Sequence, residues 1–274
     1  MNELRFKLHA VGIIAPGITC LEDLLAAARA NSRLDAAPVA PLPVPTLLPA
    51  NERRRSSQVV RLALACVEQA ARQSPFSIDT LRAVFATDEG TGEISQQMLE
   101  VLATTRQVSP LLFANSVHNA PSGYFSIAWS NRQPATVVTL GQDSFASGLL
   151  CAVSEALTEK QPVLLVVYDP AMTSPMDELL PVREAVATAW ILSAGDVSDT
   201  AHGLGSFALM LEKPDVAEPT DWPAWLPESW QTRCSARSLH ALALLAAPPD
   251  TTLRFTLGAQ RLVLRRLPES AAGS

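Results

Sequence analysis

The residues best placed for covalent chemistry lie in Asp143-Ser144-Phe145-Ala146-Ser147-Gly148, between an apolar strand-forming run and a helix-forming one. A strand, a tight elbow and a helix form a geometry that holds a nucleophile clear of the backbone. Ser144 is the hydroxyl at that turn, and His118 is the histidine that could serve as its base. The chemistry would be acyl-thioester hydrolysis or transfer. Against it, the flanking sequence is not Gly-x-Ser-x-Gly, and a serine without an oriented histidine is a weak nucleophile. His118 reads more simply as a polar residue that satisfies backbone groups at a junction or subunit interface.

Other chemistries find less support. His9, His202 and His240 are scattered, and Cys20, Cys66, Cys151 and Cys234 contain no CxxC pair, so no metal site is expected. The cysteines read as reduced core thiols. Gly90-Thr91-Gly92 permits a tight turn, but no Gly-Lys-Ser/Thr follows to cradle a phosphate. No cofactor is expected.

The 274 residues are 48% hydrophobic, 18% charged and 5% aromatic, a mix that suits helices layered on a sheet. Net charge is −6 with no basic stripe, which argues against nucleic acid as a partner. The amino-terminal residues lack the order of a secretory signal, and the purest apolar run, 162–168, is too short for a bilayer. A soluble cytoplasmic protein without membrane contact is expected, with one domain over residues 1–267 and a flexible tail at 268–274.

The elements that must position the elbow can be read from periodicity. Strands are predicted at 6–14, 81–87, 136–140, 163–168 and 206–212, and helices at 20–30, from Ser56 or Ser57 through Ala70, 93–104, 148–159 and 238–246. A proline-rich extended path runs from 36 to 49, and Arg53-Arg54-Arg55 reads as a solvated charge run rather than a contact for an acidic partner. A hairpin of 253–257 with 261–265 turns near Gly258. Strands alternating with helices predict an α/β fold with a layered, mostly parallel sheet flanked by helices.

Several ordered motifs resemble the N-terminal half of β-ketoacyl synthases, which have the thiolase-like fold. They are Val11-Gly12-Ile13-Ile14-Ala15-Pro16-Gly17, Arg53-Arg54 before an alanine-rich helix, the long stretch from Val108-Ser109-Pro110 to Pro121-Ser122-Gly123, the elbow, and Gly203-Leu204-Gly205 running to Glu212. Together they span most of residues 6–214. Aligned on Ser147-Gly148, Phe145 takes the position of the family's nucleophilic cysteine. The residues after Glu212 are too few for the second half, which carries the family's catalytic histidines and lysine.

The resemblance implies a catalytically silent subunit, similar to the short chain-length factors found with aryl polyene ketosynthases. It would form a heterodimer with an active β-ketoacyl synthase and meet acyl carrier protein indirectly. Ile94, Gln97, Met98, Leu112 and Phe113 would gate the acyl tunnel. Val117, His118, Asn119, Thr136, Val137, Val138, Thr139 and Leu140 would face the partner. Two alternatives stay open: a Ser144 hydrolase or transferase, and a structural partner that never touches the tunnel.

Overall fold

The structure is a computed structural model that describes residues 3–34, 42–88, 90–172, 174–179, 184–195, 203–213 and 222–268. His202, Glu89, Pro181, the first half of the proline-rich path and the tail from 269 onward lie outside the described residues.

In chain order the strands are β1 (Leu4–Ile14), β2 (Arg82–Ala86), β3 (Ala135–Val138), β4 (Val163–Asp169), β5 (Val186–Ala194), β6 (Gly205–Glu212), β7 (Thr252–Leu257) and β8 (Gln260–Arg266). The helices are α1 (Leu21–Ala30), α2 (Ala50–Arg55), α3 (Gln58–Gln73), α4 (Gly92–Thr104), α5 (Pro110–Asn115), α6 (Ala120–Ala128), α7 (Ser144–Glu159), α8 (Met176–Leu179) and α9 (Cys234–Leu242). The eight strands form one sheet in the order β3-β2-β4-β5-β1-β6-β8-β7.

The α/β class and the flanking helices are as expected, but the expectation of a mostly parallel sheet is wrong. Only β3 with β2 and β2 with β4 pair in parallel, and every other neighbouring pair is antiparallel. The strand that overturns it is β5, which the prolines around it hid in the sequence. It returns antiparallel beside β4 and in turn pairs antiparallel with β1. A parallel partner would need a full crossover helix, and α8, the one helix described between β4 and β5, is only four residues long.

Alternation along the central strands builds two cores. Val163, Leu165 and Val167 of β4 join one cluster with α1, α7 and α9 residues, while Leu164, Val166 and Tyr168 join the other with α3 and Phe125 of α6. β1 keeps both faces apolar through a bulge: Leu8 pairs with Leu192 and Ala10 with Ile191, so His9 is the extra residue. The parity changes there, with Phe6 and Leu8 before it and Val11 and Ile13 after it on the same face.

Two boundaries also move. The helix after the elbow begins at Ser144, not Gly148, and the last helix begins at Cys234, not Ser238. Arg53-Arg54-Arg55 forms the end of α2, a helix with no buried residue, where Arg55 lies 3.8 Å from Glu52.

Candidate functional site

The elbow forms because β3 ends at the sheet edge and Gly141, at φ 60°, takes the left-handed turn that feeds α7. Gly148 then lets α7 lie against the sheet: a Cβ there would meet the Ala86 Cβ at 2.8 Å. The elbow residues are therefore the first turns of a helix pressed onto β2 and β4.

Phe145 is fully buried. Its ring packs at 5.7 Å from that of Trp190 and 5.1 Å from that of Phe255, with His240 next in line against Phe255 at 6.3 Å. The start of α7 is thus sealed in an aromatic cluster shared by α7, β5 and β7.

Ser144 is also fully buried, and its hydroxyl is committed locally. Oγ donates to the Gly141 carbonyl at 2.7 Å and accepts from the Leu140 amide at 2.8 Å, closing the turn. His118 is exposed on the loop between α5 and α6, and no described hydrogen bond joins it to Ser144. Ser147 is half-buried, and its Oγ finds no partner among the described residues.

The carboxyl-terminal segment clamps the elbow, which the sequence did not reveal. The Asp143 carboxylate accepts from the Gly258 amide at 2.8 Å and from the Thr256 hydroxyl, both in the β7–β8 hairpin. Arg237 of α9 donates to Gln142 Oε1 at 2.9 Å and to Thr256 Oγ1 at 3.2 Å. Burial pulls the Arg237 pKa down, and the Asp143 charge partly offsets it.

A second buried carboxylate anchors α9 itself. Asp169 accepts from the Ser235 amide at 2.9 Å, the Ser235 hydroxyl at 2.6 Å and the Asp88 amide at 3.0 Å. Burial beside this charge raises the Cys234 thiol well above its ordinary range, so it stays protonated. No group of three or more potential metal ligands occurs among the described residues.

The candidate gate residues divide. Ile94 and Gln97 of α4 and Leu112 of α5 line one cavity of about 270 Å³, together with Arg55, Arg61, Glu93 and Asn115. Met98 and Phe113 sit on the same two helices but do not line it; Met98 is half-buried and Phe113 is 64% exposed. Burial raises the Glu93 carboxyl above its ordinary value.

The candidate interface residues lie at the open edge of the sheet. β3 pairs only with β2 among the described strands, leaving its other edge free. Thr136, Val137 and Val138 are half-buried, while Thr139, Leu140, Val117, His118 and Asn119 are exposed. Among the described residues, the exposed large apolar side chains other than Val44 and Leu47 fall between Leu99 and Leu140. No described helix is long and apolar enough to cross a membrane.

Solved structures resemble this chain over nearly its whole length. A chain of the complex of the ketosynthase ApeO with its chain length factor ApeC from Xenorhabdus doucetiae superimposes with a TM-score of 0.72 at 22% identity, covering 96% of this chain and 100% of that one. A chain of the ishigamide ketosynthase/chain length factor gives 0.72 at 12% identity, covering 96% and 99%. Ketosynthase twelve of the bacillaene polyketide synthase in Bacillus amyloliquefaciens gives 0.58 at 11% identity, with 78% of this chain matching 46% of that one. No curated protein sequence matches. These likenesses identify the fold as the thiolase-like ketosynthase half-fold. The family model for the β-ketoacyl synthase N-terminal domain matches residues 27–248, and the chain belongs to that family.

Proposed function

We propose that this chain is a non-catalytic, chain-length-factor-like subunit that forms a heterodimer with an active β-ketoacyl synthase and closes its acyl tunnel during polyketide synthesis. The observation that carries the reading is Phe145. In the alignment above it stands where the family's cysteine would hold the growing chain, and its ring is buried against Trp190 and Phe255. A phenyl ring can neither form a thioester nor be replaced in that role by Ser144, whose hydroxyl closes its own turn. The hydrolase alternative gains no support from this geometry.

The partner would dock on the free edge of β3 and the exposed apolar side chains between Leu99 and Leu140, since an open edge beside apolar surface is a template for association. The gate would centre on Ile94, Gln97 and Leu112, with Met98 and Phe113 flanking it on the same helices. Side-chain volume there would stop elongation by steric exclusion. The partner's cysteine would carry the chain, acyl carrier protein would deliver extender units, and this subunit would need no cofactor of its own. An aryl polyene product, which the sequence resemblance implies, and a cytoplasmic setting belong to the same proposal. We also propose that residues 1–267 act as one unit.

Co-expression with the ketosynthase encoded nearest to it, purified by a tag on this chain alone, tests the reading. A stoichiometric complex that condenses through the partner's cysteine, and fails without this chain, supports it. A chain that elutes alone and cleaves acyl thioesters overturns it. A complex whose product length ignores substitutions at Leu112 reduces the role to a structural one.

A further inference from the structure

A second cavity, of about 230 Å³, opens between the end of α1, the turn after α9 and the start of β7. Its walls are mostly apolar: Trp225 and Leu244 are nearly buried, and Leu253 is half-buried. Trp225 and Leu244 belong to the core that holds α1, α7 and α9, so the cavity lies on the face of the sheet opposite to α3 and far from the gate. His240 of α9 adds ring surface, engaged edge-on with Trp222 at 6.1 Å and Phe255 at 6.3 Å. Where α1 meets the turn after α9 the lining side chains are as short as Ala247, which leaves the space open.

The charge at its rim has one sign. Arg29 is exposed, borders the cavity and forms no ion pair among the described residues, and no carboxylate lines the cavity. The remaining polar wall, Thr251, donates its hydroxyl to the Pro248 carbonyl at 2.7 Å, which leaves Arg29 as the donor. Helix ends that would repel an anion are capped. The Ala27 and Ala28 carbonyls of α1 accept from the Ser32 and Asn31 amides at 3.2 and 3.3 Å, and the Arg266 guanidinium donates to the Leu244 and Ala247 carbonyls. Asp250, beside Thr251, is held by Arg265 at 2.6 Å. A cation would therefore meet Arg29, and a neutral molecule would gain the walls alone. An anion with an apolar body gains both. A cavity of about 150 Å³ can hold benzene, so this one has room for a single ring and a short acid arm.

We infer that this cavity binds a small apolar monocarboxylate, about one ring in bulk, with Arg29 as the residue that selects the acid. The site goes beyond the proposed pairing with a ketosynthase and does not rest on it.

The test uses the full chain, alone or with its co-purified ketosynthase, and three probes of one shape: phenylacetate, the neutral phenylacetamide, and the phenethylammonium cation. Affinities are read by ligand-observed saturation-transfer NMR titration at low salt. Phenylacetate should bind about threefold more tightly than the amide, the value of an ion pair open to water, and the cation more weakly than either. The acid's advantage should vanish at about 1 M salt, where the Debye length is about 3 Å. Arg29→Gln, at an exposed position, should erase the advantage while leaving amide binding unchanged. Ala247→Leu, which fills the cavity, should weaken acid and amide together. Equal binding of acid and amide, binding of neither, preference for the cation, or an acid preference that survives Arg29→Gln overturns the inference, and each leaves the proposed heterodimer standing.

Discussion

The rings of Phe145 and Phe255 meet edge to face, with centroids 5.1 Å apart and planes at 82°. Phe145 opens α7 and Phe255 lies in the carboxyl-terminal hairpin, so the contact joins the elbow to the last strands of the sheet. Truncating the buried ring leaves a cavity bounded by Trp190 as well. Phe145→Ala should lose about 3–5 kcal/mol of stability in chemical denaturation. Phe145→Cys should gain no condensing activity, because the new thiol remains sealed under the hairpin; stoichiometric acylation of that cysteine would refute this.

Ser144→Ala orphans the Leu140 amide and removes the bond to the Gly141 carbonyl. A loss of about 1–3 kcal/mol is expected in denaturant titration. Condensation by the partner complex should fall no further than the loss of folded protein explains. Abolished turnover in a fully folded variant would return Ser144 to the role of nucleophile.

Gly148→Ala places a methyl group against the Ala86 Cβ, at 2.8 Å, with Leu165 Cδ1 at 3.3 Å. Backbone-borne neighbours yield less than the tips of long side chains, so an overpacking cost of about 1–3 kcal/mol is expected. A thermal midpoint equal to that of the parent protein would show that α7 can slide.

Phe113→Glu and Leu140→Glu change residues that are 64% and 60% exposed, so thermal stability of the isolated chain should move by no more than about 0.5 kcal/mol. Capture of the ketosynthase in a pull-down should fall at least tenfold. Undiminished capture would place the interface elsewhere.

Glu93 carries a pH signature. Burial raises its pKa in the folded chain above the ordinary 4.5, so the folded state binds a proton more tightly than the unfolded one. Its favourable contribution is complete below pH 4.5 and is lost as pH rises through the higher folded value. Glu93→Gln should therefore match the parent at low pH and be more stable at neutral pH, as read by denaturant midpoints across a pH series. Parallel profiles for the two proteins would exclude the effect.

Much of this molecule is legible in its residues because the signals are local. The continuous apolar run at β4, the helical spacing of α3 and the Gly258 turn of the β7–β8 hairpin each depend on neighbours a few positions away. So does the elbow, where glycine, serine and a following helix lie consecutively. The motif order that aligns Phe145 with the family's cysteine is likewise a property of the chain alone.

What only the tertiary structure decided depends on residues far apart in sequence. β5 reads as loop among its prolines, yet lies at the sheet centre because β4 and β1 flank it on either side. Asp143 reads from sequence only as part of the elbow, but its carboxylate is held by Thr256 and Gly258, more than a hundred positions on. Ile94, Gln97 and Leu112 share a cavity that Met98 and Phe113 do not line, although the family resemblance grouped all five. Periodicity reports which face of an element is apolar; the partner that covers that face is set by how all the layers pack at once.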